Sequence, residues 1–326
     1  MDAMNNRASW QKWVRVLGIA LLVWLLSQMS WKQIWQAILA LNPAYLAGYL
    51  GSFLLMTLVR TIRLHRVAAQ LGYLIPLRKC SKAILEPALI GMVTPGRIGE
   101  FSRVGYFLAE GMPLATAVSL VTLERLIDLS LLLVFGLGGL TYILAPNPDP
   151  WLSAAIIGPG LGLILGAFRG YGYLTRGLQS LLRLFFRRKS SLATRIGSAW
   201  EESALRVLKN TGLVLFSLGL VCLLLNFLQV YLLAGAFGFQ ADRLVVVFAY
   251  TSSALVSLLP VSVGGLGTRE ATYITILHRQ GIRKEQALLF SLLDGFVLSL
   301  AMIAFTLGLV WLLHSIFRKK RGSRRT

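Results

Sequence analysis

Long apolar runs, interrupted by proline, glycine and isolated charges, constrain this chain more than any other feature. Several runs approach or exceed the ~20 residues that an α-helix needs to cross a bilayer. Of the 326 residues, 56% are hydrophobic and only 14% are charged. A soluble chain carries roughly 25% charged residues. The fold class read from this is all-α: a polytopic helical membrane protein forming one integral membrane domain over 1–326. No polar segment is long enough to hold a separate soluble catalytic domain.

The formal net charge of +20 raises nucleic acid as a partner. The basic residues, however, sit in blocks between apolar runs, the distribution that membrane orientation produces. Attraction to anionic lipid headgroups is the more natural consequence, and no nucleic acid is expected. Cys80 and Cys222 lie far apart, and His65, His278 and His314 have no metal-ligand spacing. No metal, cofactor, catalytic residue or enzymatic activity is expected. No small-residue cleavage site follows the apolar stretch Val14–Met29, so it reads as a retained span rather than a signal peptide.

The further spans are Ala44–Val59, Leu114–Leu137 with a continuation to Leu144, Trp151–Phe168, Gly212–Ala234 and Ala287–Leu313. Two apolar segments are short and broken. Ile84–Val93 stops at Thr94-Pro95-Gly96 and resumes as Ile98–Ala109. Leu244–Leu259 stops at Pro260 and resumes as Gly267–Leu277. Lys and Arg number three in 1–15, six in 60–82, nine in 169–210 and six in 314–326, against one each in 30–43 and 235–243 and none in 138–150. Cationic loops mark the cytoplasmic side. The sides alternate correctly if each broken segment enters and leaves the membrane on one face. The result is about six full spans, two re-entrant hairpins and both termini in the cytoplasm. In outline this is an inverted repeat. A first half, 1–168, carries the hairpin 84–109. A basic cytoplasmic linker, 169–210, contains a helix lying on the membrane surface. A second half, 211–326, carries the hairpin 244–277.

Both breaks end in charge. Broken helices inside a bilayer are tolerated where protein or a polar cavity satisfies the freed backbone groups. An ionisable residue at that depth is a functional-site hypothesis by default. Paired interruptions in two halves point to a transporter site. The backbone-permissive residues are Pro95, Gly96 and Gly99 in the first break and Pro260, Gly264, Gly265 and Gly267 in the second. The candidate substrate-binding residues are Arg97, Glu100, Arg103, Glu124, Arg125, Asp128, Arg269 and Glu270. Arg97, Glu100 and Arg103, spaced by three, form one polar stripe with a surplus positive charge, suited to an anion such as phosphate. Glu124 and Asp128 share a helix face at i and i+4. Each group also admits a plainer reading, as ion pairs that pin hairpins and helices together. Asp294 and Glu86 read as structural.

The strings Thr94-Pro95-Gly96-Arg97-Ile98-Gly99-Glu100, Glu124-Arg125-Leu126-Ile127-Asp128-Leu129 and Pro260 to Glu270 resemble the signature strings of the lysylphosphatidylglycerol synthase transmembrane-region family. The resemblance runs from about the second span to the last. It implies a lipid-handling protein of the bacterial inner membrane, with polar grooves formed by re-entrant helices. The chain ends at Thr326, just after its last span. The family includes the flippase half of the bacterial multiple-peptide-resistance factor, in which a soluble aminoacyl-transferase domain follows the membrane part; that domain is not expected here. The expected function is a lipid flippase or scramblase-like transporter whose partners are membrane lipids with an anionic or phosphate-bearing headgroup. The alternative is a non-transporting accessory that anchors a lipid-modifying or glycosyltransferase enzyme.

Overall fold

A computed structural model describes residues 31–92, 94, 97–145, 149–169, 190–257 and 265–322. The expected span Val14–Met29 and residues Pro95, Gly96, Pro260 and Gly264 lie outside these residues. Every regular element among the described residues is helical. In chain order they are α1 (Trp31–Leu39), α2 (Pro43–Gln70), α3 (Leu77–Met92), a 3₁₀ segment (Ile98–Ser102), α4 (Arg103–Ala109), α5 (Leu114–Leu144), α6 (Pro150–Arg169), α7 (Ser190–Ala236), α8 (Arg243–Ser257), α9 (Thr268–His278), α10 (Lys284–Leu292), a wide helical turn (Leu293–Val297) and α11 (Leu298–Gly322).

Four of these stretches are long and apolar enough to cross a membrane: Pro43–Gln70, Leu114–Leu144, Glu202–Ala236 and Lys284–Leu312. Their outward side chains are apolar. Leu55 and Leu58 on α2, Leu137 and Leu140 on α5, Leu224 on α7 and Phe305 on α11 are all exposed. Arg63, Glu100, Arg103, Glu124, Arg269, Glu270 and Asp294 are buried. A soluble protein almost never buries so many charges. This pattern, apolar outside and ionic inside, identifies a membrane protein.

Helix α2 starts where Asn42 accepts the Ala44 N–H at 3.0 Å and Pro43 supplies a first-turn residue whose missing donor costs nothing there. Its buried residues recur at helical spacing: Tyr49, Phe53, Met56, Leu64, Val67. The expected end at Val59 is wrong by a wide margin. Arg60 and Arg63 turn inward, so the helix continues to Gln70. Likewise α3 begins at Leu77, ahead of Ile84, and takes Arg78, Lys79 and Lys82 into the helix.

Two buried apolar clusters organise the interior. One gathers the C-terminal half of α2 (Leu64, Val67), α3, α4, α5 and the α7 residues Ala204 to Leu223. The other gathers Tyr49, Val230, Leu233, Ala249, Tyr273 and Phe290 from α2 and α7 to α10. Helix α7 passes through both. The surface helix expected at the end of the linker is instead the first part of α7, and Ala204, Val207 and Leu208 are buried in the first cluster. The boundary drawn at 210/211 falls inside this helix.

On either side of each proline–glycine break the described helical segments pack against each other: the 3₁₀ segment against α3, and α9 against α8. The 3₁₀ segment folds back against α3 so closely that a Cβ on Gly99 would stand 2.7 Å from the carbonyl carbon and oxygen of Ile90. In the second hairpin Gly265, at φ +82°, would place a Cβ 2.5 Å from that of Ser257. These close approaches generate a prediction. Gly99→Ala is expected to destabilise the purified protein by about 1–3 kcal/mol, because backbone cannot retreat as a side chain can. Gly105→Ala on α4, which meets nothing within 4 Å, is expected to be neutral or to stabilise by about 0.5–1 kcal/mol. Thermal melting of the two variants side by side measures the difference.

Candidate functional site

A cavity of about 160 Å³, with room for on the order of ten waters, lies beside a third buried cluster whose Phe53, Met56, Leu85 and Ile303 line it. Its walls come from α2, α3, the 3₁₀ segment, α4, α5, α7, α8, α9 and the wide turn before α11. Six arginines line it: Arg60, Arg63, Arg97, Arg103, Arg125 and Arg269. Four carboxylates face them: Glu100, Glu124, Asp128 and Asp294. Formal charge leaves two arginines in surplus.

The ionic contacts form two groups. In the first, Glu124 of α5 accepts from Arg63 of α2 and, at 2.6 Å, from Arg103 of α4. Arg63 also donates to Asp128 at 2.8 Å. Glu100 pairs with Arg125 and stands 3.4 Å from Arg103. The 3₁₀ winding makes this last contact local. With three residues per turn, positions 100 and 103 lie nearly above one another. In the second group Arg269 of α9 pairs with Asp294, whose carboxylate also accepts the Tyr273 hydroxyl at 3.2 Å. The Tyr273 ring lies 5.7 Å from the Arg269 guanidinium, within cation–π range.

Asp294 reaches this position because the helix widens there. The Leu298 N–H bonds to Leu293 O, five residues back rather than four. Ser299 Oγ occupies the Asp294 carbonyl at 3.0 Å. Gly295 supplies the space, since a Cβ at that position would collide with the Arg269 guanidinium. Such single wide turns occur often at functional sites.

One device occurs twice. A hairpin arginine, Arg103 or Arg269, pairs with a carboxylate on the long helix that follows, Glu124 or Asp294. Of the eight expected binding residues, seven meet at the cavity. Glu270 does not line it. It accepts the Gly267 N–H at 2.5 Å and the Ser291 hydroxyl at 3.3 Å, and so caps α9 from a position only 2% exposed. The permissive glycines Gly265 and Gly267 take φ of +82° and +84°, a region open to glycine at little cost.

Arg60, Arg63 and Asp294 join the site unexpected. Arg60 and Arg63 are spaced by three within Leu58-Val59-Arg60-Thr61-Ile62-Arg63-Leu64, a run whose apolar positions keep helical spacing. That spacing was the available signal. Counting both arginines as loop charge hid it.

Two arginines differ from the rest. Arg60 has no carboxylate within ion-pair distance among the described residues. Arg97 reaches Glu100 only at 4.0 Å, and its side chain is 38% exposed. Arg97 also holds φ 56°, the only positive φ on a non-glycine residue among those described. A left-handed arginine carries a conformational cost that surrounding structure must sustain.

Fold and site together define a helical membrane protein with a cationic polar cavity lined by arginines that follow both breaks, Arg97, Arg103 and Arg269. The sequence model of the family described as lysylphosphatidylglycerol synthase TM region matches residues 12–306, and the chain belongs to that family. No curated protein and no solved structure matches it.

The ionic groups rank by burial. Glu124→Gln leaves Arg63 and Arg103 without their shared counter-charge and is expected to destabilise the protein by about 3–5 kcal/mol. Glu270→Gln weakens a helix cap and is expected to cost about 0.5–2 kcal/mol. Thermal or denaturant unfolding of both variants tests the order; a Glu124→Gln protein as stable as the parent would contradict it.

Proposed function

We propose that this protein moves lipid across the bacterial inner membrane as a flippase or scramblase-like transporter, and that it is not an enzyme. A phosphate-bearing headgroup passes through the central cavity while the acyl chains stay in the bilayer. In this reading both termini and residues 169–210 face the cytoplasm. Six spans and two re-entrant hairpins form an inverted repeat around the cavity. One observation carries the reading most: the cavity holds two more arginines than carboxylates, and the surplus falls on Arg60 and Arg97.

The physical argument is desolvation. A phosphate leaving water for a low-dielectric region needs compensating charge and donors. Arginine offers a planar, permanently charged set of five N–H groups that matches phosphate oxygens. The arginines already paired to carboxylates hold the bundle together. Arg60 and Arg97 are available to a ligand. The strained backbone of Arg97 sharpens the point, because glycine would fit that φ at lower cost and would serve a purely structural turn better.

Arg97→Gly is therefore the decisive substitution. It is expected to leave thermal stability equal or higher, by about 0.4–1 kcal/mol at most, while lowering fluorescent-lipid translocation per folded molecule in liposomes by at least about ten-fold. Full activity in Arg97→Gly would show that the arginine is not part of the path. A non-transporting anchor for a lipid-modifying enzyme makes a different forecast: no translocation by the parent protein at all. Orientation is tested separately. A cysteine placed at Ser323 is expected to resist a membrane-impermeant thiol reagent in intact spheroplasts and to react after lysis.

A further inference from the structure

A second cavity, of about 320 Å³, opens where the two ends of the first hairpin meet. It is lined by α3 from Arg78 to Ala83, by Ile75 just before it, and by Tyr106, Phe107, Ala109 and Glu110 at the far end of α4. It shares no residue with the central cavity. Three cations, Arg78, Lys79 and Lys82, face one carboxylate, Glu110. That carboxylate is engaged by Lys79, whose Nζ stands 2.6 Å from it. The nearby Glu86 carboxylate is taken by the Tyr106 hydroxyl. Arg78 and Lys82 have no ion-pair partner among the described residues, and the Arg78 Nε is buried without a hydrogen bond.

The remaining walls are apolar: Ile75, Ala83, Phe107 and Ala109. Leu74 is 84% exposed and Leu77 and Leu108 are also exposed beside the cavity in the chain. Leucines in that position are costly next to water and suited to acyl chains. A basic pocket between helices, rimmed by apolar surface, is the arrangement that holds an anionic lipid headgroup.

We propose that this cavity is a second binding site for a phosphate-bearing anion, presented as the headgroup of an anionic membrane lipid. Arg78 and Lys82 contact the phosphate. Lys79 stays with Glu110 and ties the hairpin ends together around it. The site is independent of the transport path, so it stands or falls apart from the proposed function.

Lys82 reports occupancy directly. The full chain in neutral detergent is acylated with an amine-reactive acetyl ester, and modification of Lys82 is followed by peptide mass spectrometry. The additions are dioctanoyl phosphatidylglycerol, dioctanoyl phosphatidylcholine or inorganic phosphate at equal concentration. Phosphatidylglycerol is expected to slow acylation of Lys82 saturably, and the other two are not. Arg78→Gln is expected to raise the half-protecting concentration by about five-fold, the effect of one cation at an anionic headgroup. Arg78→Lys should recover most of that loss, and Arg97→Gln should change nothing. Equal protection by inorganic phosphate would replace the lipid with a soluble phosphate ligand. The site itself is overturned by any of three results: no protection in the parent protein, equal protection by phosphatidylcholine, or protection indifferent to Arg78→Gln. Loss of protection in Arg97→Gln would show that the two cavities are one site.

Discussion

The carboxylate of Glu124 ties three helices of this molecule together. It lies on α5 and receives Arg63 from α2 and Arg103 from α4. Three elements that lipid would not otherwise hold together thereby share one buried charge. The hydrophobic effect offers little here, because lipid tails are as apolar as leucine. Association depends on close packing and on polar contacts inside the bundle. Glycines on α5 provide the first, as where Gly139 meets the Phe248 ring with no room for a methyl group. The ionic chain from Asp128 through Arg63, Glu124 and Arg103 to Glu100 provides the second.

Such a network holds only while it is complete. A buried ion pair gains little over apolar packing, but removing one partner strands the other. Arg63, Arg103, Arg125 and Arg269 are each committed to carboxylates. Their charge is spent on the fold. The excess rests on Arg60 and Arg97, which line the same cavity.

Much of this was legible in the sequence. Pro95-Gly96 and the glycines from 264 to 267 marked where helices stop, and α3 ends at Met92 and α8 at Ser257, ahead of each. Charges following each break announced the cavity, and seven of the eight nominated residues line it. Glu270 shows where the reasoning stopped. Next to Arg269 in the chain, it points the other way and caps its own helix through Gly267. Asp294 shows the converse. A single acid in an apolar run carries no sign of its partner, and only the wide turn at Leu293–Val297 and the absence of a Cβ at Gly295 bring it under Arg269.

Residue order alone was enough for the class: apolar runs long enough to span, proline and glycine breaks between them, and few charges set at regular places. Local chemistry decides these, since helix propensity, backbone freedom and transfer free energy depend on residues a few positions apart. Only the tertiary structure decided the pairing. Arg63 meets Glu124 across 61 positions and Asp128 across 65. How closely a given arginine is paired depends on which carboxylate the packing brings to it and at what distance. That is a property of how helices pack, and no spacing along the chain encodes it.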